Sequence, residues 1–176
     1  MRSSHFKKKS KFFHLNIHFK TTGYFKSLDW IYLQRLIHNA AVAYSVEVQA
    51  LVMMDTHFHV LIESATNQEN FFSNLLENTL AHKSEPEAFC EPVKFLAQYL
   101  IVYKYIYNNP VKAGLCKYVE DYAFSSVQTL LGKNAAYCLI SDRLDLIHNP
   151  QRVLKWLNSE MEFKESKLKS ISEYKS

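Results

Sequence analysis

The stretch from Val46 to Ser64 constrains the fold most. Two mostly apolar runs, VEVQALVM and HFHVLIES, flank Asp55-Thr56. Asp favours turns, so the pattern predicts two short strands around a tight Asp55-Thr56 turn. Side chains of a strand alternate between its faces. Phe58, Val60 and Ile62 then point towards a core, and His57 and His59 lie side by side on the opposite face. Two imidazoles on one face of a rigid strand are placed to share a metal ion. Taken alone, the pair reads equally well as two half-exposed strand histidines, so a third ligand and a chemical task must come from elsewhere in the chain.

Upstream, Phe12 to Thr22 alternates apolar Phe13, Leu15, Ile17 and Phe19 with polar His14, Asn16 and His18. This predicts a half-buried strand. His14 and His18 share its polar face, but four strand residues span roughly 13 Å. They do not hold one ion between them; one of them is expected to line the site or meet substrate. Asp29 is placed to cap a helix over Trp30–Ala43. A second helix is expected over Asn67–Lys83, with Phe71, Phe72, Leu75, Leu76 and Leu80 as its buried stripe. Ser84–Pro92, with two prolines, reads as a loop.

Val93–Asn109 predicts a third helix. Leu96, Tyr99, Leu100, Tyr103, Ile106 and Tyr107 fall on one stripe, suited to a core, and Tyr105 falls off it. Tyr105 and Asn109 are four residues apart and therefore neighbours on the helix surface. By helical spacing alone, Tyr105 reads as an amphipathic tyrosine at a helix surface. Pro110 removes a backbone donor and pushes Asn109 towards an extended conformation, so the helix is expected to end at Asn109 with its amide free to point into a site. Gly114 permits a turn, and Ser125 and Ser126 suit the cap of a short helix carrying Val127, Leu130 and Leu131. Ser141–Ile147 and Pro150–Phe163 read as short helices, the second with Val153, Trp156 and Leu157 inward. From Lys164 the chain is rich in Lys, Glu and Ser and reads as a solvated end.

Length and composition bound the classes open to the chain. Its 176 residues suit one domain with a tail. A hydrophobic fraction of 48% and an aromatic fraction of 14% supply a core and exclude a disordered protein. No apolar run approaches a membrane span, and no apolar segment follows the first basic residues as in a secretory signal. Cys90, Cys116 and Cys138 form no metal-binding spacing and fit reduced thiols in a cytoplasmic protein. The net charge of +4 is unevenly spread. Arg2, Lys7, Lys8, Lys9 and Lys11 make a basic arm without acids, suited to a phosphate backbone or to a solvated terminus.

Three segments together resemble the HUH single-tyrosine transposases, especially the REP-associated tyrosine transposases of bacteria. Val52-Met53-Met54-Asp55-Thr56-His57-Phe58-His59-Val60-Leu61 is similar to the family's histidine strand, with Asp55-Thr56 where the family has Pro-Asn. Tyr105-Ile106-Tyr107-Asn108-Asn109-Pro110-Val111-Lys112-Ala113-Gly114-Leu115 is the most specific of the three. Asp121-Tyr122-Ala123-Phe124-Ser125-Ser126 is similar to the segment that follows it. Order and spacing agree over about residues 12 to 132. The Trp- and Arg-rich stretch that many relatives carry between the second and third helices is absent.

The resemblance implies an α/β (α+β) sandwich, a ferredoxin-like or RRM-like antiparallel sheet packed with helices. It implies a basic arm over 1–11, a transposase-like domain over 12–132 and a helical C-terminal extension over 133–176. It carries the metal-ligand role to His57, His59 and Asn109, and the nucleophile role to Tyr105. The cofactor implied is Mg²⁺ or Mn²⁺. The partner is single-stranded or hairpin DNA, held by Lys7, Lys8, Lys9, Lys11, His14 and Lys112, and the protein is a cytoplasmic monomer or homodimer with no membrane partner. The reaction implied is cleavage and rejoining of single-stranded DNA through a 5′-phosphotyrosine. The competing expectation is a catalytically idle or domesticated nucleic-acid-binding module on the same fold.

Overall fold

The computed structural model describes residues 11–19, 27–81 and 85–160, with backbone only at 27–29. Lys7, Lys8 and Lys9 of the basic arm, Lys83 and the chain beyond Glu160 lie outside the described residues. In chain order the elements are β1 (Lys11–Phe19), α1 (Ser27–Tyr44), β2 (Val46–Met53), β3 (His57–Ser64), α2 (Glu69–Leu80), β4 (Pro86–Val93), α3 (Leu96–Lys112), α4 (Ser126–Leu130) and α5 (Pro150–Leu157). The strands form one antiparallel sheet in the order β2-β3-β1-β4. A β-α-β-β-α-β chain with that strand order is the ferredoxin-like arrangement expected from the sequence.

Alternation divides the sheet into two faces. Phe13, Leu15, Ile17 and Phe19 of β1 join Phe58, Val60 and Ile62 of β3 beneath α1 and α2. Phe12 of β1, Ala50 and Val52 of β2 and Leu61 of β3 turn the other way, beneath Tyr99, Tyr103 and Ile106 of α3. Each large apolar side chain buried in this way contributes about 1.5–3 kcal/mol. The polar residues His14, Asn16, His18, His57 and His59 belong to the second face. A bulge in β2 inserts Gln49 between Val48, paired with Ile62, and Ala50, paired with Leu61. The extra residue switches the face of everything after it, which turns Ala50 and Val52 towards α3.

Four expectations are corrected. Ser84–Pro92 is not a loop, since Pro86–Val93 forms β4 against β1. An edge strand has one side of its backbone without a partner, and residues lacking an N–H are tolerated there. α1 begins at Ser27, so Asp29 falls within its first turn rather than at its cap. Phe71 and Leu96 are exposed; Phe71 stacks on Tyr44 instead, ring centroids 6.2 Å apart. Ser141–Ile147 is a turn, held by the Asp142 carboxylate accepting from the backbone N–H groups of Leu146 and Ile147, both at 2.7 Å.

The third helix runs past Pro110 to Lys112. A proline costs a helix one backbone bond to the carbonyl four residues earlier, but so near the end it breaks nothing downstream. The helix closes one turn later. Gly114, at φ 71°, donates to the Val111 carbonyl at 3.0 Å, and Leu115 donates to the Pro110 carbonyl at 2.9 Å. This pair of bonds around a left-handed residue is the Schellman motif, and it gives Pro110-Val111-Lys112-Ala113-Gly114-Leu115 a local structural role.

The rest of the chain fixes α3 onto the sheet. The Tyr122 hydroxyl donates to the Met53 carbonyl at 2.8 Å, and the Met53 N–H donates to the Phe124 carbonyl at 3.0 Å. Ser126 Oγ accepts from the Leu51 N–H at 2.9 Å and bonds the Tyr107 hydroxyl at 2.8 Å. Residues 122–126 thus cover the outer edge of β2, and Ser125 caps α4 as expected. Arg143 pairs with Glu63 beside Gln49. Asn108 donates to the Leu157 carbonyl at 2.9 Å, and Val153 and Leu157 of α5 are buried in the same core as α3. Among the described residues, no helix is long and apolar enough to cross a membrane.

Candidate functional site

On the α3 face, β1 and β3 bring four histidines together. In the register His18 lies opposite His57 and Asn16 opposite His59, with His14 two residues further along. His18 and His57 stack with ring centroids 4.9 Å apart, and His57 and His59 are also 4.9 Å apart. His14 Nε2 and His59 Nδ1 are hydrogen-bonded at 3.1 Å. Thr56 Oγ1 bonds His57 Nδ1 at 3.0 Å, and Asn16 Nδ2 bonds His18 Nε2 at 2.8 Å. The histidine pairs of β1 and β3 therefore line one site, as the alternation in each strand requires.

Tyr105 reaches this ladder from α3. Its ring centroid lies 5.6 Å from that of His59 and 6.0 Å from that of His14, edge to face with both. Lys112 Nζ sits 5.4 Å above the Tyr105 ring, a cation–π contact. Tyr105 is half-buried, and burial is the main reason its phenol is pushed above the usual tyrosine value. A hydrogen bond from the Asn109 side chain works the other way, and the Glu91 carboxylate pushes it further up. Asn109 Nδ2 also donates to the Tyr105 carbonyl at 3.0 Å. The amide expected to stand free at a helix end is instead folded against the preceding turn, because the helix does not end there.

His59 is buried to 1% exposure. Burial foremost, then the proximity of His14, His57 and His18, holds its pKa well below the usual histidine value. Burial likewise lowers His14 to about 4. Both imidazoles are neutral at neutral pH, the form that ligates metals. His59 Nε2 and Asn16 Oδ1 are buried without a hydrogen-bond partner, and buried polar atoms are otherwise nearly always paired. Among the described residues no three His, Cys, Asp or Glu side chains are grouped to hold a metal ion. A cation here would rely on imidazole nitrogen completed by amide or substrate oxygen. The orphaned His59 Nε2 and the neighbouring Asn16 amide fit that requirement, and Asn109 lies one helical turn beyond Tyr105.

Of the remaining sequence-derived candidates, Lys11 is not brought to the site. It shares the parity of Phe13 and Leu15, facing α1 and α2, and its Nζ donates to Asn67 Oδ1 at 2.8 Å. Glu91 was missed. It lies opposite His14 in the register, and Glu87 and Phe89 lie opposite His18 and Asn16. The signal was present as alternation, Glu87, Phe89 and Glu91 against Ala88 and Cys90, but the flanking prolines masked it.

No family model matches the sequence, and no curated protein matches it. Among solved structures, the chain is similar to a REP-associated tyrosine transposase bound to a REP hairpin, with a TM-score of 0.55 and 19% identity. The match covers 81% of this chain and 91% of that one. The two proteins share a fold, an antiparallel sheet packed with helices.

Proposed function

We propose that the protein cleaves and rejoins single-stranded DNA, using Tyr105 as nucleophile. The observation that carries this reading is the meeting of the Tyr105 ring with that of His59, itself beside His57, from a helix and a strand far apart in sequence. The structural neighbour's bound hairpin supports DNA as the partner class.

In this reading His57, His59 and the Asn109 amide oxygen would hold a divalent cation, Mg²⁺ or Mn²⁺. Bound there, the cation supplies Lewis-acid polarisation of a non-bridging phosphate oxygen. Tyr105 Oη forms a bond to phosphorus as the bond from phosphorus to the 3′ oxygen breaks. The products are a 5′-phosphotyrosine and a 3′-hydroxyl, which receives a proton overall as the phenol loses one. Attack by a 3′-hydroxyl reverses the step and releases the phenol, so no nucleotide is consumed. Because burial raises the phenol pKa, proton removal from Tyr105 is part of the barrier. Lys112, beside the phenol ring, is placed to offset charge on the phosphate.

An idle nucleic-acid-binding module on the same fold is the second reading. It is favoured by the Asn109 amide, whose nitrogen is committed to the Tyr105 carbonyl. Incubation of labelled single-stranded hairpin DNA with Mn²⁺ separates the alternatives. A denaturation-resistant adduct from wild type but not from Tyr105→Phe supports the transposase-like reading. Cleavage without adduct by both proteins supports a water-using phosphodiesterase, and binding alone supports the idle module.

A further inference from the structure

His59 presents two ring nitrogens to different neighbours. Its Nδ1 meets His14 Nε2 at 3.1 Å, and its Nε2 is buried without a partner. One proton is shared between the two meeting nitrogens. If His14 donates it, His59 carries its own proton on Nε2, and the orphaned position becomes an N–H with no acceptor. If His59 donates it, Nε2 holds a lone pair. The ring cannot carry both arrangements, and only the second accepts a cation.

We propose that His14 acts as the hydrogen-bond acceptor that fixes His59 as the Nδ1–H tautomer, keeping its Nε2 lone pair directed at a divalent cation. The proposal rests on the reading of His59 as a ligand and gives His14 a positioning role, distinct from contact with DNA. Two further observations support it. His57 is anchored through the same atom, Nδ1, by Thr56 Oγ1 at 3.0 Å, so both histidines of the strand are gripped at Nδ1. The His14 and His59 rings lie 5.2 Å apart and 27° from parallel on adjacent paired strands, and 1% exposure leaves no room for bulk water to serve His59 in place of His14.

The test is ¹⁵N NMR of the histidine rings in the metal-free full-length protein, paired with Mn²⁺ titration of wild type, His14→Phe and His14→Gln. The expected result is a protonated Nδ1 and an unprotonated Nε2 on His59. Mn²⁺ affinity is expected to fall about 10- to 100-fold in His14→Phe, and to recover in His14→Gln, whose amide oxygen can accept. An Nε2–H tautomer in wild type overturns the proposal, as does unchanged Mn²⁺ affinity in a folded His14→Phe. If His14→Phe fails to fold, the wild-type tautomer alone decides. Loss of all Mn²⁺ binding in wild type would remove the ligand reading itself, whereas an Nε2–H tautomer with Mn²⁺ still bound would remove only the role of His14.

Discussion

The Tyr105 ring stands edge-on to the His59 ring, with centroids 5.6 Å apart. Helix α3 delivers the first and the middle of the sheet the second. Tyr105→Phe removes one oxygen and keeps the ring between His14, His59 and Lys112. We expect its stability to stay within about 1 kcal/mol of wild type, the range of one hydrogen bond, with Mn²⁺ affinity unchanged and all covalent DNA adduct lost. Chemical denaturation and metal titration on the same preparation check the first two.

The helix that carries Tyr105 is itself held from behind. The Asn108 amide is buried and donates to the carbonyls of Lys104 and Leu157, at 3.0 and 2.9 Å. Asn108→Ala should cost about 2 kcal/mol by leaving the Leu157 carbonyl unpaired. Hydrogen exchange should rise first in α5, which loses its tie to α3. Protection of α5 equal to wild type would show that its apolar contacts suffice.

Gly114 closes α3 at φ 71°, and a Cβ there would meet nothing within 4 Å. The cost of Gly114→Ala is therefore backbone strain alone, about 1–2 kcal/mol. The denaturation midpoint should fall accordingly while DNA binding is retained.

Tyr122 gives the fold an alkaline limit. Burial foremost, then the Asp55 and Cys116 charges, raises its phenol to about 12, and its hydroxyl donates to the Met53 carbonyl. A group with a raised folded pKa binds its proton more tightly in the native state. Its contribution is complete below the unfolded value of about 10 and is lost as pH climbs through 12. Denaturation between pH 8 and 11.5 should therefore destabilise wild type more steeply than Tyr122→Phe.

Much of the site was legible because strands obey a period of two. The facing of His57 and His59, and of His14 and His18, followed from alternation alone, and so did the burial of Phe58, Val60 and Ile62. Register was not legible, because it depends on the Gln49 bulge, and nothing in VEVQALVM marks one residue as extra. β4 was hidden by Pro86 and Pro92, which local rules place in loops and which only an edge position tolerates. Pro110 misled in the same way: a helix near its end absorbs the missing bond, so Asn109 lies inside α3 with its amide turned back on Tyr105. The Arg143–Glu63 pair joins segments remote in sequence, beyond the reach of any local pattern.

The central claim is that Tyr105 itself bonds to DNA. The most direct measurement is protease digestion of the adduct formed with Mn²⁺ and labelled hairpin DNA, followed by mass spectrometry of the nucleotide-bearing peptide. The account predicts a 5′-phosphate attached to Tyr105. An adduct on another residue, or cleaved DNA with no peptide attached, would contradict it.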